Sequence, residues 1–346
     1  MSVRLGILGA VHSHLAPKVE AIAHGAAGEV TIAGAFEADP RVREQRRAEP
    51  AFAGVRWLPR AEDVLADDTI QGIVVDGDIW RFLDDARQAL LAGKHVYLEK
   101  PAGLSLEAYR EVLELAAARR LSVVMAYHFR TSPPFRLLHR LASQGALGQI
   151  FNVRGRIGKP KRGYERWLET MPYPGHIMFE MGGHLIDPMV ALLGRPQRVT
   201  PFLRSDYRPA EGQPGPVLMP VRGIPGEAAG GPFLDNALAV LEWDGAMGVV
   251  EAAAMEAGAA RRFEVLGTKG TLVIEPPGGT AARLFLEEAA GDFRAGWQVV
   301  EGGSWTPFAQ DIRDWASVIR GQGAAAFGPE HDFVVQETQL RASGAR

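Results

Sequence analysis

Between residues 3 and 127 the chain alternates short apolar runs with longer segments in which apolar residues recur at helical spacing. This alternation predicts repeated strand–helix–strand units, in which parallel strands are covered by helices on both faces. We predict strands at residues 3–9, 30–37, 55–57, 70–75, 95–99 and 121–126. Helices are predicted between them at residues 15–24, 40–48, 61–66, 80–92 and 106–119.

The pattern changes after residue 127, where we place the boundary between a first domain, residues 1–127, and a second, residues 128–346. In the second domain we predict helices at residues 134–144, 177–193, 307–320 and 330–341. Strands are predicted at residues 150–157, 199–203, 237–243, 247–253, 262–266, 271–274 and 283–287, which favours a largely antiparallel sheet flanked by helices. The pattern leaves open whether the two C-terminal helices pack back on the first domain.

Residues 209–232 contain so many glycines and prolines that we predict a long loop, whose role stays open. Apolar residues make up 47% of the chain and charged residues 23%, the values of an ordinary folded protein. The net charge of -3, without a long run of like charge, gives no electrostatic footprint for nucleic acid or an anionic membrane. We therefore expect a small-molecule partner.

The chain contains no cysteine, which excludes disulfides, thiolate-bound zinc, iron–sulfur clusters and a cysteine nucleophile. A strand pattern begins directly after Ser2 without the features of a signal peptide, and no segment approaches the ~18 apolar residues of a membrane span. We expect a cytoplasmic protein.

The turn after the first predicted strand is a candidate site for a dinucleotide, because helix N-termini attract a pyrophosphate at this place in a doubly wound sheet. Of the glycines of the GxGxxG fingerprint, the turn at residues 9–14 retains only Gly9. Glu37 lies 23 residues after His14, close to the spacing at which an acid reaches the adenosine ribose. This acid favours NAD, while Arg41 and Arg43 leave NADP open.

Three segments carry a resemblance to a known family: AGKHVYLEKP at residues 92–101, GALGQI at 145–150 and EMGGHLIDPMVALLG at 180–194. In these segments the chain resembles the Gfo/Idh/MocA family of glucose-fructose oxidoreductases and inositol dehydrogenases. The resemblance implies a Rossmann domain followed by an α+β domain with a large, mostly antiparallel open sheet. It also implies a homodimer or homotetramer built through that sheet.

Oxidation of a secondary alcohol needs a base for the hydroxyl proton and a nicotinamide for the hydride. Lys100 follows a predicted parallel strand at the edge where ligands of such sheets bind, so its cation can polarise the substrate oxygen. The resemblance assigns proton acceptance to His184, with Glu180 one helical turn before it. We therefore predict an NAD(P)-dependent oxidoreductase that acts on a sugar, aminosugar or cyclitol.

The remaining candidate residues follow from the same argument. Those predicted to bind the cofactor are Gly9, Ala10, Val11, His12, Glu37, Asp76, Glu99 and Lys100, and those predicted to contact substrate are Tyr127, His128, Trp167, His176 and Asp187. Arg130 fits a structural ion pair slightly better than a substrate contact. No metal is predicted, although His176, Glu180 and His184 would share one helical face if the helix began early enough.

Two other classes of function remain open. The same lysine and histidine would serve a glycosidase or lyase that oxidises its sugar transiently and returns the hydride to a retained NAD. The altered glycine turn and the acids at Asp76 and Asp78 would also suit a non-catalytic, dinucleotide-sensing protein. The identity of the substrate does not follow from the sequence, because selectivity resides in the loops.

Overall fold

The computed structural model describes residues 2–160, 176–208 and 233–345, which form two compact units. The first unit comprises residues 1–131 and 305–333, and the second comprises residues 132–304 and 334–346. The predicted boundary at residue 127 lies a few residues earlier. The first unit also includes the helix Ala309–Ile319, which the sequence alone placed in the second domain.

A five-stranded parallel sheet forms the first unit. Its strands are β1 (Val3–Leu8), β2 (Val30–Phe36), β3 (Gly72–Val75), β4 (His95–Leu98) and β5 (Val123–Met125), in the order β2-β1-β3-β4-β5. This arrangement confirms the predicted Rossmann fold. The strand predicted at residues 55–57 is reduced to a single parallel bridge between Ala35 and Trp57.

Helices of the first unit follow the strands closely, as the periodicity predicts. They are α1 (Leu15–Ala23), α2 (Pro40–Ala48), α3 (Ala61–Leu65), α4 (Phe82–Leu91) and α5 (Leu106–Arg119). The Ser105 side chain accepts the Ala108 N–H and so caps the start of α5. Helix Ala309–Ile319 belongs to this unit because Ile312 and Trp315 are buried in the same apolar core as β1.

An eight-stranded sheet dominates the second unit. It contains β6 (Ile150–Pro160), β7 (Arg198–Arg204), β8 (Asn236–Trp243), β9 (Ala246–Glu256), β10 (Arg261–Gly267), β11 (Gly270–Ile274), β12 (Ala281–Leu286) and β13 (Gly296–Glu301). The order is β13-β12-β11-β10-β6-β9-β8-β7, and every pair is antiparallel except β6 with β9. The predicted open, mostly antiparallel sheet is confirmed, with β13 as an additional strand.

The helices of the second unit are α6 (Pro133–Ser143), α7 (Ile177–Met181) and α8 (Gly183–Leu193). The last helix of the chain, Pro329–Ala342, continues from the first unit into the second. One face of the large sheet is buried, as the alternation in β8 shows: Ala237, Ala239, Leu241 and Trp243 are inside. Among the described residues, no helix has the length and apolar character needed to cross a membrane.

Candidate active site

Glycines bring the ends of two neighbouring strands together in the first unit. Gly9 follows β1 with a φ of 80°, and Gly77 follows β3 at a distance of two residues. A Cβ on Gly9 would overlap the Gly77 Cα, so the two turns can approach this closely only without a side chain at position 9. The close approach of the two turns therefore requires glycine at position 9, the one position of the fingerprint where the turn retains it.

Glu37 joins the end of β2 to the glycine turn. Its carboxylate is 4% exposed and accepts the Ala10 N–H at 2.6 Å and the Asp39 N–H at 2.8 Å. The neighbouring cations are engaged elsewhere: Arg41 forms a surface ion pair with Asp39 at 2.8 Å, and Arg43 donates to the Glu37 carbonyl at 3.2 Å. The predicted ribose-binding acid thus lies beside the turn, with its negative charge stabilised by backbone N–H groups.

Arg46, on α2, binds the opposite side of the same turn. Its guanidinium donates to the carbonyl oxygens of Ala10 and His12 at 2.8 Å and of Val11 at 3.3 Å, and it pairs with Glu49 at 3.0 Å. One planar side chain with several donors can satisfy converging carbonyls in this way. The sequence gave no indication of this role for Arg46.

A shallow cleft opens to solvent beside this turn. Three carboxylates lie along it, from Glu37, Asp78 and Asp85, together with the cation of Arg81. Burial raises the pKa of Asp78 and of Asp85 above the usual value for aspartate. The other lining residues are Leu8, Gly9, Phe36, Ala38, Ala61 and Gly77.

A buried ion cluster lies below the turn. Lys18, on α1, is 1% exposed, and its ammonium pairs with the Asp76 carboxylate and, at 2.5 Å, with the Glu99 carboxylate. The same ammonium lies 5.4 Å from the ring centroid of Tyr97 and 5.3 Å from that of Phe308. Asp76, predicted to bind the cofactor, is thus fully buried and paired with Lys18.

Burial favours the neutral forms of Lys18, Asp76 and Glu99. For Lys18 and Glu99, however, the ion pairs outweigh burial and favour the charged form. Although burial opposes it, the pKa of Lys18 is raised by Asp76 and Glu99. Although burial opposes ionisation of Glu99, Lys18 and His14 hold its pKa well below the usual value. For Asp76 burial outweighs the attraction of Lys18, so its pKa is raised. The three groups titrate as one coupled cluster.

Histidines surround the Glu99 carboxylate. His14 Nδ1 lies 3.0 Å from Glu99 Oε1, and the His14 ring meets those of His12 and His128 edge-on, with centroids 4.4 and 5.4 Å apart. Burial lowers the pKa of His14 to about 4 and that of His128 well below its usual value. His14 is therefore neutral at pH 7, and its Nδ1 carries the proton because it faces a carboxylate oxygen.

His12, His14 and Glu99 also have potential metal-ligand atoms within 4.8 Å of one another. However, the Lys18 ammonium already lies 2.5 Å from the other oxygen of Glu99. A divalent cation here would stand beside a buried positive charge, which low polarity makes unfavourable. The cluster fits a set of hydrogen-bonding groups better than it fits a metal site.

Lys100 directly follows Glu99 and is 1% exposed. Tyr127, which was predicted to contact substrate, is buried beneath the Arg130 guanidinium, 5.0 Å from the centroid of its ring. Arg130 pairs with Asp332 at 2.5 Å, which confirms the preferred interpretation of this arginine as an ion-pair partner.

In the second unit the predicted helix 177–193 is two helices that meet at Gly182. Gly182 keeps right-handed dihedral angles, but a Cβ on it would overlap the Met178 carbonyl. A Cβ on Gly183 would overlap the side chain of Gln339, which donates to the Phe179 carbonyl. Close packing on both sides therefore explains the two consecutive glycines.

Glu180, His184 and Asp187 are all buried, at 4%, 3% and 2% exposure. Glu180 is in α7 and His184 in α8, so the one-turn spacing predicted for them crosses the junction of the two helices. A contact between the Glu180 and His184 side chains stays a prediction. Pro188, inside α8, has no N–H for the His184 carbonyl four residues earlier.

His176 precedes α7 rather than continuing it, with a φ of 37°. Its Nδ1 accepts the Leu234 N–H at 2.8 Å, and its ring stacks on Phe233 at 5.2 Å. Burial lowers the pKa of His176 to about 4. Among the described residues, the ligand atoms of His176, Glu180 and His184 do not form a cluster that could hold a metal ion. Trp167 and the 209–232 loop lie outside the described residues.

The sequence interpretation missed Lys18, Arg46 and His14. Lys18 offers a signal, because it lies three residues after Leu15 on the apolar face of α1, where a charged side chain needs a buried partner. His14 occupies the place of the third glycine of the fingerprint, but nothing local indicates that it faces Glu99, 85 residues away.

Known proteins are similar to this chain in sequence and in fold. Residues 135–273 match the family model of the GFO/IDH/MocA C-terminal domain. This match covers less than half of the chain, which is thus similar to the Gfo/Idh/MocA family in its C-terminal domain. The family model supports the resemblance seen in the sequence.

Two curated relatives illustrate the similarity. Levoglucosan dehydrogenase of Pseudarthrobacter phenanthrenivorans is 24% identical over 254 residues, which cover 70% of this chain and 64% of that protein. The scyllo-inositol 2-dehydrogenase (NADP(+)) of Bacillus subtilis is 27% identical over 173 residues, covering 49% and 47%. The chain spans about half the length of the curated relatives it matches.

The fold as a whole matches solved structures over nearly its full length. A structure of levoglucosan dehydrogenase in complex with NADH and levoglucosan superposes with a TM-score of 0.78 at 17% identity, covering 99% of this chain and 98% of the other. At this identity the match establishes the fold alone.

Proposed function

We propose that this protein is a dehydrogenase that transfers a hydride between NAD(H) and a secondary alcohol of a sugar, aminosugar or cyclitol. The observation that carries the proposal is the position of Lys100, buried two residues after the end of β4. In an open parallel sheet, this carboxyl edge of the strands is where ligands bind.

The residues that line the cleft beside the glycine turn suit the adenosine half of a dinucleotide. Gly9 and Gly77 line it without side chains, and the Glu37 carboxylate on the cleft wall can accept hydrogen bonds from ribose hydroxyls. The carboxylates of Glu37, Asp78 and Asp85 would repel the 2′-phosphate of NADP. We therefore favour NAD, although one relative carries NADP(+) in its name.

A bound nicotinamide would supply the acceptor for the hydride. The residues of the chain would supply the rest: the Lys100 ammonium holds the substrate oxygen and stabilises the charge that develops on it. His184 accepts the hydroxyl proton, and the Glu180 carboxylate orients that imidazole. The predicted substrate contacts of Tyr127, His128, Trp167 and Asp187 stay predictions.

The first experiment is calorimetric titration of the protein with NAD⁺, NADH, NADP⁺ and NADPH. We expect NAD(H) to bind more tightly than NADP(H). If neither binds, and denatured protein releases no trapped dinucleotide, the proposal is wrong and the dinucleotide-sensing alternative loses its ligand as well.

Substrate screening follows with levoglucosan and scyllo-inositol, which the names of the relatives suggest. The Lys100→Ala and His184→Ala variants should lose at least about a hundredfold in kcat and still bind NAD⁺. Turnover of a glycoside without net NADH formation would instead support the transient-redox alternative.

We also infer that two copies associate through the open face of the eight-stranded sheet. Directly paired residues share a face, so Trp297, Phe285, Thr271, Leu266, Asn152 and Met247 form one row across six strands. On this face Trp297 is 48%, Val299 64% and Phe202 55% exposed.

Val249→Glu, in the middle of the face, should convert a dimer or tetramer to a folded monomer, measured by light scattering. A monomeric wild type would overturn the inference.

A further inference from the structure

Lys18 is a charged residue at a position where helix α1 is otherwise apolar. Leu15, Val19 and Ile22 share its buried face, and Lys18 itself is 1% exposed. Taking an ammonium out of water is unfavourable unless partners compensate for the lost hydration. A sequence that retains such a group in place of a leucine or methionine gives up stability unless the charge has a further role.

We propose that Lys18 is a positioning residue of the active site, which holds the Glu99 carboxylate and through it orients the His14 imidazole and the start of the Lys100 segment. This inference rests on the proposed function, because the segment it positions is the one that we assign to catalysis. Lys18 acts through its neighbours.

The geometry shows how one ammonium can act on two strand ends. Asp76 directly follows β3 and Glu99 directly follows β4, and these two strands are adjacent and parallel. Lys18 pairs with both carboxylates, so it links the two strand ends from the helix above. Because Lys100 is the next residue after Glu99, a shift of the Glu99 backbone also moves the peptide group that begins Lys100.

The charge balance explains why the His14 orientation depends on Lys18. Glu99 offers Oε2 to Lys18 and Oε1 to His14 Nδ1, at 2.5 and 3.0 Å. Only an ionised Glu99 accepts with both oxygens, and Lys18 is the nearest cation that keeps it ionised in this buried place. His12, His128, Asp76 and Lys100 also face this pair.

The test removes the ammonium together with one of its two acidic partners. Lys18→Met alone would leave both Asp76 and Glu99 without their cation and would risk unfolding. The double variant Lys18→Met/Asp76→Leu replaces one ion pair with an apolar pair of similar volume, and Glu99, the one acid left without Lys18, can take up a proton, so the variant should fold. Lys94→Met is the matched control, because Lys94 is 6% exposed and precedes the same strand at its other end, donating to the Asp67 carbonyl at 2.9 Å.

The first readout needs neither cofactor nor substrate. The nitrogen chemical shifts of isotope-labelled histidine report which ring nitrogen carries the proton, and a His14→Gln variant identifies the His14 signals among the nine histidines. We expect a single Nδ1–H tautomer in the wild type and in Lys94→Met. In the double variant we expect a mixture of tautomers. An unchanged single tautomer there would overturn the proposed positioning.

The second readout measures the consequence for catalysis. The double variant should lose about tenfold or more in kcat, while its KM for NAD⁺ changes by less than about threefold, because the adenosine cleft is intact. Lys94→Met should keep the wild-type kcat. If the double variant keeps it too, Lys18 contributes only to stability and the inference is wrong. If wild-type protein binds no dinucleotide, the proposed function fails, whereas the tautomer measurement still decides the role of Lys18.

Discussion

Arg46 Nη2 donates a 2.8 Å hydrogen bond to the carbonyl oxygen of His12, although 34 residues separate the two in the sequence. The guanidinium also bonds the Ala10 and Val11 carbonyls, so it fixes the backbone of the glycine turn. In a fingerprint with several glycines, the backbone approaches the pyrophosphate without help. Here a side chain from α2 holds in place a turn that has lost two of those glycines.

We therefore expect Arg46→Gln to lower the free energy of unfolding by about 2 kcal/mol or more, because buried carbonyls lose their donors. NAD⁺ affinity should fall about tenfold with the loosened turn. Urea denaturation and calorimetry would measure the two effects. The control is Arg47→Gln, since Arg47 is 47% exposed and pairs with Glu44 on the surface. Equal effects of the two changes would contradict this role.

Gly9→Ala tests the close approach of the strand ends. Alanine at this position has to adopt a φ of 80° and also overlaps Gly77, so we expect a loss of about 3 kcal/mol or more. Gly93→Ala is a matched control because Gly93 has a φ of 76° and no atom within 4 Å of the added Cβ. It should lose only about 1 kcal/mol. Thermal or urea unfolding distinguishes the two, and similar losses would show that steric overlap is unimportant.

Glu37→Gln tests the choice of cofactor. An amide has one acceptor oxygen, so it cannot serve both the Ala10 and the Asp39 N–H as the carboxylate does. The change also removes a negative charge from the cleft. We expect the preference for NAD⁺ over NADP⁺ to fall by about tenfold, the equivalent of one charge-assisted hydrogen bond. Glu44→Gln, at 63% exposure, is the control, and an unchanged preference in Glu37→Gln would argue against this residue as the selector.

Asp311 predicts a pH dependence of stability in the first unit. Burial raises its pKa to about 6, although Thr131 and Tyr97 donate to its carboxylate at 2.5 and 3.2 Å. A raised pKa means that the folded state favours the protonated acid, so this stabilisation is complete below about pH 4 and is lost as the pH rises through about 6.

Asp311→Asn removes this dependence. Relative to wild type, the variant should gain up to about 3 kcal/mol between pH 4 and pH 7.5. Urea denaturation at several pH values measures the difference, with Asp314→Asn, an exposed position on the same helix, as control. A difference between Asp311→Asn and wild type that does not vary with pH would contradict the assigned cause.

The spacing of apolar residues predicted most helices and strands correctly, because an element of ordinary length repeats that spacing several times. Local patterns failed where the outcome depends on distant partners. Residues 55–57 have strand character but form one bridge, and β13 begins at Gly296, which weakens its strand pattern. The predicted helix is divided at Gly182, and the close approach of Gly183 to Gln339 is a contact that no local pattern reveals.

The site likewise combines features that the local sequence predicts with features that depend on distant residues. The segment that ends at Lys100 carried the family resemblance and the prediction of the catalytic edge, since strand and motif are contiguous there. The sequence alone does not explain why two acids, Asp76 and Asp78, follow the third strand. In the structure the Lys18 ammonium pairs with the Asp76 carboxylate. Because Lys18 lies 58 residues away in the sequence, only the fold reveals this ion pair.

Residues 305–333 complete the first unit although the whole of residues 132–304 precedes them. During synthesis on the ribosome, the parallel sheet therefore emerges long before Ile312 and Trp315, which fill its core. At about 5–20 residues per second, the wait lasts roughly ten to forty seconds. In this interval the apolar surface that Ile312 and Trp315 later cover is open to water, which favours aggregation of the nascent sheet.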